Sequence, residues 1–211
     1  MRITSIENQK RNQSRRSVFI DGKYALSLSA NLVDVLKLNA NDSISKNNFE
    51  KISVASELEK AFSRALKFRS IRHRTATEIK NYLLKKKYSD LTIEKTIVKL
   101  QKLNFIDDKE YARMFCADRL HLKPISQKAL VLLLQKKGVN RLIAEDAAQS
   151  AYINVDEDKI IYELASKKFN QMTSSLKSIN PEKQKKRLIN YLLSRGFSTE
   201  KIFQTIKNFY K

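Results

Sequence analysis

LNFIDDKEYARMFCADRL, residues 103–120, spans the point where one predicted helical unit ends and the next begins. Asp107 and Glu110 have the spacing of a capping box, in which Asp107 accepts hydrogen bonds from the first free backbone N–H groups of a helix. Asn104 suits the left-handed conformation that often closes a helix. The stretch therefore predicts a helix end, a short joint and a new helix that starts at Asp107.

The helix predicted from Asp107 has one apolar side, formed by residues at helical spacing. Its members are Tyr111, Met114, Phe115 and Cys116. We expect this side to face a core. Cys116 is accordingly interpreted as a small core residue.

The chain on either side of this stretch repeats. Lys87, Gly138 and Gly196 stand 51 and 58 residues apart, and the same two shifts align many apolar positions. The aligned sets are Ile79, Leu130 and Leu188; Tyr82, Leu133 and Tyr191; Leu83, Leu134 and Leu192; Ile93, Ala144 and Ile202; and Ile97, Ala148 and Ile206. Helical chains show some self-similarity by chance, but here the basic helix ends also come into register. We therefore predict three copies of one helical unit that stack to bury a shared core.

The first segment of the chain differs from the repeats. Two short apolar runs flank Asp21-Gly22, which is a strong hairpin signal. A two-residue turn there would place Phe19 opposite Tyr24 and Ser17 opposite Leu26. The pattern predicts a small β module before the helices.

A lone hairpin is barely stable, so we expect residues 2–7 to supply a third strand and residues 31–37 a short helix that packs on the sheet. The loop between the first two strands is basic. It is either a solvated loop or an arm that touches phosphate. Its cationic residues are Lys10, Arg11, Arg15 and Arg16.

The predicted fold is mainly α, with three tandem three-helix repeats in an elongated curved array behind the β module. The expected divisions are 1–45 for the β module with its short helix, 46–106 for a linker helix and repeat 1, 107–153 for repeat 2 and 154–211 for repeat 3. Residues 171–179 form a connection longer than its counterparts. We expect it to be the most mobile loop of the repeats.

Composition limits the possible classes of protein. A formal charge of +20 and a pI near 10.0 are typical of a partner for phosphate backbones or another acidic surface, although codon usage in an AT-rich genome also favours lysine. The single cysteine excludes an intramolecular disulfide and indicates a reducing, cytoplasmic setting. The longest apolar run, residues 129–134, is far below the ~20 residues that span a bilayer, so we expect no contact with a membrane.

Three further motifs carry a resemblance to a known family. They are Phe105-Ile106-Asp107-Asp108 with Tyr111-Ala112, Arg72-His73-Arg74-Thr75 with Glu78-Ile79, and Lys137-Gly138-Val139. They resemble, in that order, the signature at the start of the second repeat, a motif of the first repeat and the Lys-Gly-Ile of the RecX family. Its members are regulators of the RecA recombinase, and their chains are tandem three-helix repeats. The resemblance covers about residues 55–211, and the β module looks like the amino-terminal extension of longer members.

Two positions depart from the family pattern. Lys87 stands where glycine is usual, and Lys123-Pro124 stands where Gly-Pro or a similar pair is more common. These departures concern local helix ends and nearby contacts.

The resemblance implies a binding protein, expected to act as a monomer, that docks into the groove of a RecA filament on single-stranded DNA. There it would limit strand exchange, ATP turnover and the coprotease activity of the filament. The residues themselves agree in kind, since stacked repeats present an extended surface suited to a polymer. They do not point to RecA rather than to another acidic polymer, so a general basic DNA-binding repeat protein that competes for DNA stays open.

The contact surface is predicted on basic residues. Residues 57–106 carry 13 basic and 5 acidic side chains, against 8 and 6 for residues 107–153, so the strongest positive field is expected in repeat 1. For each cation, a merely solvated helix face is an equal alternative. The main face is predicted at Arg69, Arg72, Arg74, Lys85, Lys86 and Lys87, extended by Lys136, Lys137, Lys185, Lys186, Arg187 and Arg195.

An enzyme is not expected. His73 and His121 are the only histidines, and their spacing with Cys116 does not resemble a metal site. Asp107-Asp108 could suggest a catalytic carboxylate pair, but a helix cap is the better explanation because no base accompanies it. Three glycines in all leave scarcely enough for a phosphate-binding loop. We therefore predict no catalytic residue, no metal and no cofactor.

Overall fold

A computed structural model describes residues 1–10, 12–175 and 180–210. Over these residues it contains three strands followed by ten helices. The strands are β1 (Ile3–Gln9), β2 (Asn12–Ile20) and β3 (Lys23–Ser29). The helices are α1 (Ala30–Val35), α2 (Lys46–Arg69), α3 (Ala76–Lys85), α4 (Asp90–Lys102), α5 (Asp108–Leu122), α6 (Gln127–Lys136), α7 (Arg141–Tyr152), α8 (Glu157–Ser175), α9 (Pro181–Ser194) and α10 (Thr199–Ile206). The mainly α prediction is confirmed.

The chain divides into two compact units. The first consists of Met1–His73 and Ile79–Ile106, and the second of Arg74–Glu78 and Asp107–Lys211. The first unit holds the β module, α2, α4 and most of α3. The second holds the start of α3 and the helices from α5 onward.

The β module is an antiparallel sheet in the order β1-β2-β3. Asp21 and Gly22 both have positive φ, 48° and 76°, as a two-residue hairpin turn of the favoured type requires. Phe19 pairs with Tyr24 as predicted. The predicted pairing of Ser17 with Leu26 is wrong: a register shift after Val18 places Val18 opposite Leu26.

This register shift decides which residues the sheet buries. Val18 and Leu26 are buried together with Ile3 and Leu28, whereas Tyr24 is 58% exposed. An irregularity of one residue moves side chains to the other face, because side chains alternate along a strand. α1 and α2 cover the apolar face of the sheet.

The basic loop between the first two strands is shorter than the sequence predicts, because β1 extends to Gln9 and β2 begins at Asn12. Arg15 is part of β2, where its guanidinium donates to the Ser27 hydroxyl at 2.9 Å and lies 3.9 Å from a carboxylate oxygen of Glu59. Arg11 lies outside the described residues. Arg15 is therefore held within its own unit.

The three tandem repeats are confirmed as α2–α4, α5–α7 and α8–α10. In the quoted stretch, Asp107 caps α5 by accepting from the backbone N–H groups of Lys109 and Glu110 at 2.8 and 3.1 Å, and Asn104 has a φ of 55°. Tyr111 and Cys116 are buried as predicted. Met114 is 36% exposed, so its place on the inner side was wrong; Ala112, which is fully buried, fills that side instead.

The carboxyl end of the second helix has the same backbone geometry in each repeat. Lys87, Gly138 and Gly196 all adopt left-handed φ values, 62°, 82° and 82°. In the first two repeats, a backbone N–H just beyond the helix returns to the carbonyl of an equivalent leucine, Leu83 or Leu134. The 51-residue and 58-residue shifts read from the sequence are thus confirmed in the backbone.

We expect Lys87→Gly to raise the free energy of unfolding by about 1 kcal/mol, because the left-handed conformation is unfavourable for residues other than glycine. The melting temperature should rise by roughly 2–4 °C. The matched control is Lys86→Gly, which removes the same charge at an exposed neighbour where φ is not positive. A melting temperature that rises equally in both variants would contradict this account.

In the second unit, the start of one repeat's second helix packs on the glycine turn of the next repeat. Thr75 and Thr77 donate from their hydroxyls to the carbonyls of Lys137 and Gly138 at 2.7 and 2.9 Å. The equivalent contact one repeat later joins the backbone N–H of Ser126 to the carbonyl of Arg195 at 3.0 Å. Within the second unit, hydrogen bonds to these turns therefore join the start of one second helix to the end of the next.

The first helix of the third repeat is longer than predicted. α8 continues to Ser175, so helix replaces the first half of the connection expected at residues 171–179. The rest of that connection, residues 176–179, lies outside the described residues. Among the helices that the structure describes, none combines the length and the apolar character needed to cross a membrane.

Candidate nucleic-acid interface

Three consecutive lysines stand at the carboxyl end of α3. Lys85 ends the helix, Lys86 and Lys87 form the turn after it, and all three side chains are exposed. The carboxyl end of a helix carries partial negative charge, which favours cations there. The Lys86 ammonium lies 5.8 Å from the centroid of the Tyr82 ring, which stacks on Phe68 at 4.1 Å. Three exposed lysines are thus consecutive at one helix end, and Lys86 among them lies beside a stacked aromatic pair.

Arg69, at the end of α2, has a structural role. Its Nε donates to the carbonyl of Phe105 at 2.5 Å, and its guanidinium lies 5.7 Å from the centroid of the Phe105 ring. Arg69 ties the end of α2 to the joint after α4, within the first unit. It is the least available of the cations predicted for this unit.

Arg72 and Arg74 both precede the start of α3. Arg72 is exposed and donates to the carbonyl of His73 at 2.8 Å, whereas Arg74 is half-buried in the second unit. α3 is ten residues long, so about 15 Å of helix separates this end from the lysines at the other. The predicted face of repeat 1 therefore consists of two groups of cations rather than one.

The second repeat contributes Lys136 and Lys137 at the end of α6. Lys136 is exposed. The ammonium of Lys137 lies 3.6 Å from a carboxylate oxygen of Glu78. The backbone carbonyl of Lys137 accepts a hydrogen bond from the Thr75 hydroxyl. Lys137 therefore takes part in the joint between repeats.

The third repeat contributes four predicted cations from α9 and its end. Lys186 and Arg187 are exposed, and Lys185 is half-buried. Lys185 and Lys186 line a cavity of about 480 Å³ with Glu182. Arg195 donates to the carbonyl of Pro124 at 2.8 Å, and its guanidinium lies 5.0 Å from the centroid of the Tyr191 ring.

The structure therefore divides the twelve predicted residues by their contacts. Three are engaged in contacts between elements, namely Arg69, Lys137 and Arg195. Seven have exposed side chains, namely Arg72, Lys85, Lys86, Lys87, Lys136, Lys186 and Arg187. The other two, Arg74 and Lys185, are half-buried. Each repeat presents at least one exposed cation on its second helix or the turn after it.

Lys123 and Lys167 were missed by the sequence reasoning. They line a cavity in the second unit together with Arg195. Lys123, Lys167 and Arg195 come from three segments far apart in sequence, so no local spacing indicates that they converge.

The acidic pair Asp107-Asp108 is explained by capping, as predicted. Asp107 caps α5, and an Asp108 carboxylate oxygen accepts from the backbone N–H of Ala76 at 2.9 Å, at the start of α3. Burial raises the pKa of the Asp108 carboxyl. Two adjacent carboxylates thus serve the starts of two different helices.

Cys116 is fully buried, and its burial raises the pKa of the thiol to about 11. Within the described ranges, no group of three or more His, Cys, Asp or Glu side chains is placed to hold a metal ion.

Alkylation requires the thiolate, so we expect iodoacetamide at pH 8 to modify folded Cys116 at least ~100-fold more slowly than the urea-unfolded chain. Mass spectrometry over time measures both rates, and equal rates would contradict the buried position.

The raised pKa of Cys116 also determines how the stability of the folded protein changes with pH. The folded pKa of Cys116 lies above its unfolded value, so the stability that comes from keeping the thiol neutral is complete below the unfolded pKa. It is lost as the pH rises from about 9 toward 11.

A β module followed by three three-helix repeats, with exposed cations on the second helix of each, defines a basic helical-repeat protein. Family models match the regulatory protein RecX N-terminal domain at residues 1–45, the first three-helix domain of RecX at 61–100 and the third at 156–206. The chain belongs to the RecX family of regulatory proteins.

Individual relatives agree with this assignment. Regulatory protein RecX of Clostridium beijerinckii is 32% identical over 98% of this chain and 94% of its own length. That of Clostridium acetobutylicum is 30% identical over 99% and 96%. A crystal structure of a regulatory protein RecX has the same fold, with a TM-score of 0.74 at 23% identity over 98% of both chains. RecX from Lactobacillus salivarius has a TM-score of 0.60 at 27% identity, over 73% of this chain and 97% of its own.

Proposed function

We propose that this protein binds the RecA filament formed on single-stranded DNA and modulates, mostly by inhibition, its recombinase, ATPase and coprotease activities in DNA repair and the SOS response. It works as a cytoplasmic monomer, without catalysis of its own and without a cofactor. In this scheme residues 1–45, 46–106, 107–153 and 154–211 are the working divisions of the chain.

The observation that carries the proposal is the recurrence of exposed cations on the second helix, or its end, in every repeat. They are Lys85, Lys86 and Lys87 in the first repeat, Lys136 in the second, and Lys186 and Arg187 in the third. A polymer that repeats its anionic groups suits a protein that repeats its cations. Membership of a family of regulatory proteins supports regulation as the outcome.

A general DNA-binding protein is the second candidate, and the net charge of +20 favours it. Neutralised phosphates would then supply nearly all of the affinity, which would fall steeply with salt and would not depend on RecA. A filament regulator gains contacts that are not charge pairs, so its binding should survive moderate salt.

Salt titration separates the two candidates. Fluorescence anisotropy with one labelled oligonucleotide, naked or coated with the cognate RecA, measures both affinities from 50 to 300 mM salt. We expect the affinity for naked DNA to fall much faster than the affinity for the filament. Parallel falls, with no preference for the coated strand, would support the DNA-binding protein and contradict the regulator.

A further inference from the structure

A cavity of about 380 Å³ lies in the second unit, between the end of α5, α8 and α9. Its size is within the ~300–1,000 Å³ range of ordinary ligand pockets. Four basic side chains line it, namely His121, Lys123, Lys167 and Arg195, against one carboxylate, Glu163. The cavity is therefore suited to an anionic ligand.

Arg195 is fixed in this lining before any ligand arrives. One N–H of its guanidinium bonds the carbonyl of Pro124 at 2.8 Å, and the group lies 5.0 Å from the centroid of the Tyr191 ring. A guanidinium has five N–H donors, so this contact leaves others to face the cavity. A donor held in place loses little entropy when it binds a phosphate.

The rest of the lining is largely apolar. Leu122, Ile160, Leu164 and Tyr191 contribute to it. Leu122 ends α5 and is 73% exposed. The lining thus combines apolar and cationic side chains. We call its apolar side chains, Leu122 among them, the floor and its cationic side chains the rim.

We propose that this cavity binds one nucleotide of a single strand of nucleic acid, with the base against the apolar floor and the phosphate on the basic rim. Single strands are bound by this combination of stacking or apolar surfaces with a positive groove. A duplex keeps its bases stacked and cannot offer one to the floor. The inference rests on the proposed function and adds a specific subsite to it.

The rim is tested with Lys123→Gln/Lys167→Gln, measured by anisotropy with labelled oligothymidylate. The matched control, Lys128→Gln/Lys159→Gln, removes the same charge from exposed lysines of the same unit that do not line the cavity. We expect roughly 10-fold weaker binding for the rim variant, and a salt slope smaller by about 0.7, the value for one phosphate contact to a single strand. An equal loss in the control, or no loss in the rim variant, overturns the proposal.

The floor is tested with Leu122→Ser, an exposed position where the substitution spares the core. We expect several-fold weaker binding to oligothymidylate and no change for an abasic strand of the same length, because only the former has bases to bury. Equal effects on both strands overturn the base contact. Displacement of oligothymidylate by polyglutamate at equal charge concentration would assign the cavity to an acidic peptide instead.

Failure of the subsite and failure of the proposed function give different results. If the rim variant binds oligothymidylate as the unmodified protein does, and the unmodified protein inhibits RecA turnover, only the subsite is wrong. If the unmodified protein leaves turnover unchanged while it binds single strands through the cavity, only the regulatory proposal is wrong.

Discussion

Reversal of Lys85, Lys86 and Lys87 to glutamate is expected to weaken binding to single-stranded DNA by roughly 100-fold or more near 0.1 M salt. Each phosphate contact to a single strand contributes about 0.7 to the slope of log affinity against log salt, so the slope should fall by about 2. The three side chains are exposed at a helix end, and the change replaces attraction by repulsion. Binding at several salt concentrations measures both quantities.

The control for this variant carries the same change in net charge. Lys109, Lys128 and Lys159 are exposed lysines outside the predicted contact surface, so their reversal alters only the general field of the protein. We expect a much smaller loss of affinity from it. Equal losses in the two variants would mean that net charge, and not this cluster, determines binding.

Gly138→Ala is expected to destabilise the protein by about 3 kcal/mol and to lower its melting temperature by roughly 10 °C. A β-carbon added at Gly138 would stand 2.2 Å from the Cβ of Thr77, so the joint between repeats must open. Overpacking of this kind costs roughly 1–3 kcal/mol, and the left-handed φ of 82° adds roughly 1–2 kcal/mol for alanine. Thermal unfolding followed by circular dichroism measures the change.

Gly22→Ala separates the two contributions. Gly22 has a similar φ of 76°, but a β-carbon there would meet no atom within 4 Å. Only the backbone cost of roughly 1–2 kcal/mol should appear. If both alanine variants lose the same stability, the contact of Gly138 with Thr77 contributes nothing.

The helix boundaries could be predicted because they depend on local chemistry. Asp107 and Thr75 each accept from the backbone within their own first turn, and Asn104 and Gly138 occupy left-handed positions that few residues favour. Lys87 was harder to place, because lysine alone does not predict a left-handed turn. The repeat shift located it, and the backbone confirmed it.

The sheet register could not be predicted to the same degree. Asp21-Gly22 determined the turn, and the pairing of Phe19 with Tyr24 followed from it. The register shift after Val18 brings Val18 and Leu26 into the core that α1 and α2 share with the sheet. That packing is tertiary information, which local sequence does not contain. A single irregularity therefore reversed the facing of the residues beyond it.

The candidate site was predictable in composition but not in geometry. The lysines after α3 stand together in the sequence, so they could be selected as a group. The engagement of Arg69 with Phe105, and of Arg195 with Pro124, depends on partners 36 and 71 residues away. Lys123 and Lys167 were passed over for the same reason, since only folding brings them to one cavity.

ATP turnover by the cognate RecA on single-stranded DNA, titrated with this protein, tests the central claim most directly. Direct DNA binding is measured beside it at the same salt. We expect turnover to fall at fewer than one molecule of this protein per RecA, at concentrations where naked DNA is hardly bound. A fall that begins only when this protein saturates the DNA would contradict the account and indicate simple competition for DNA.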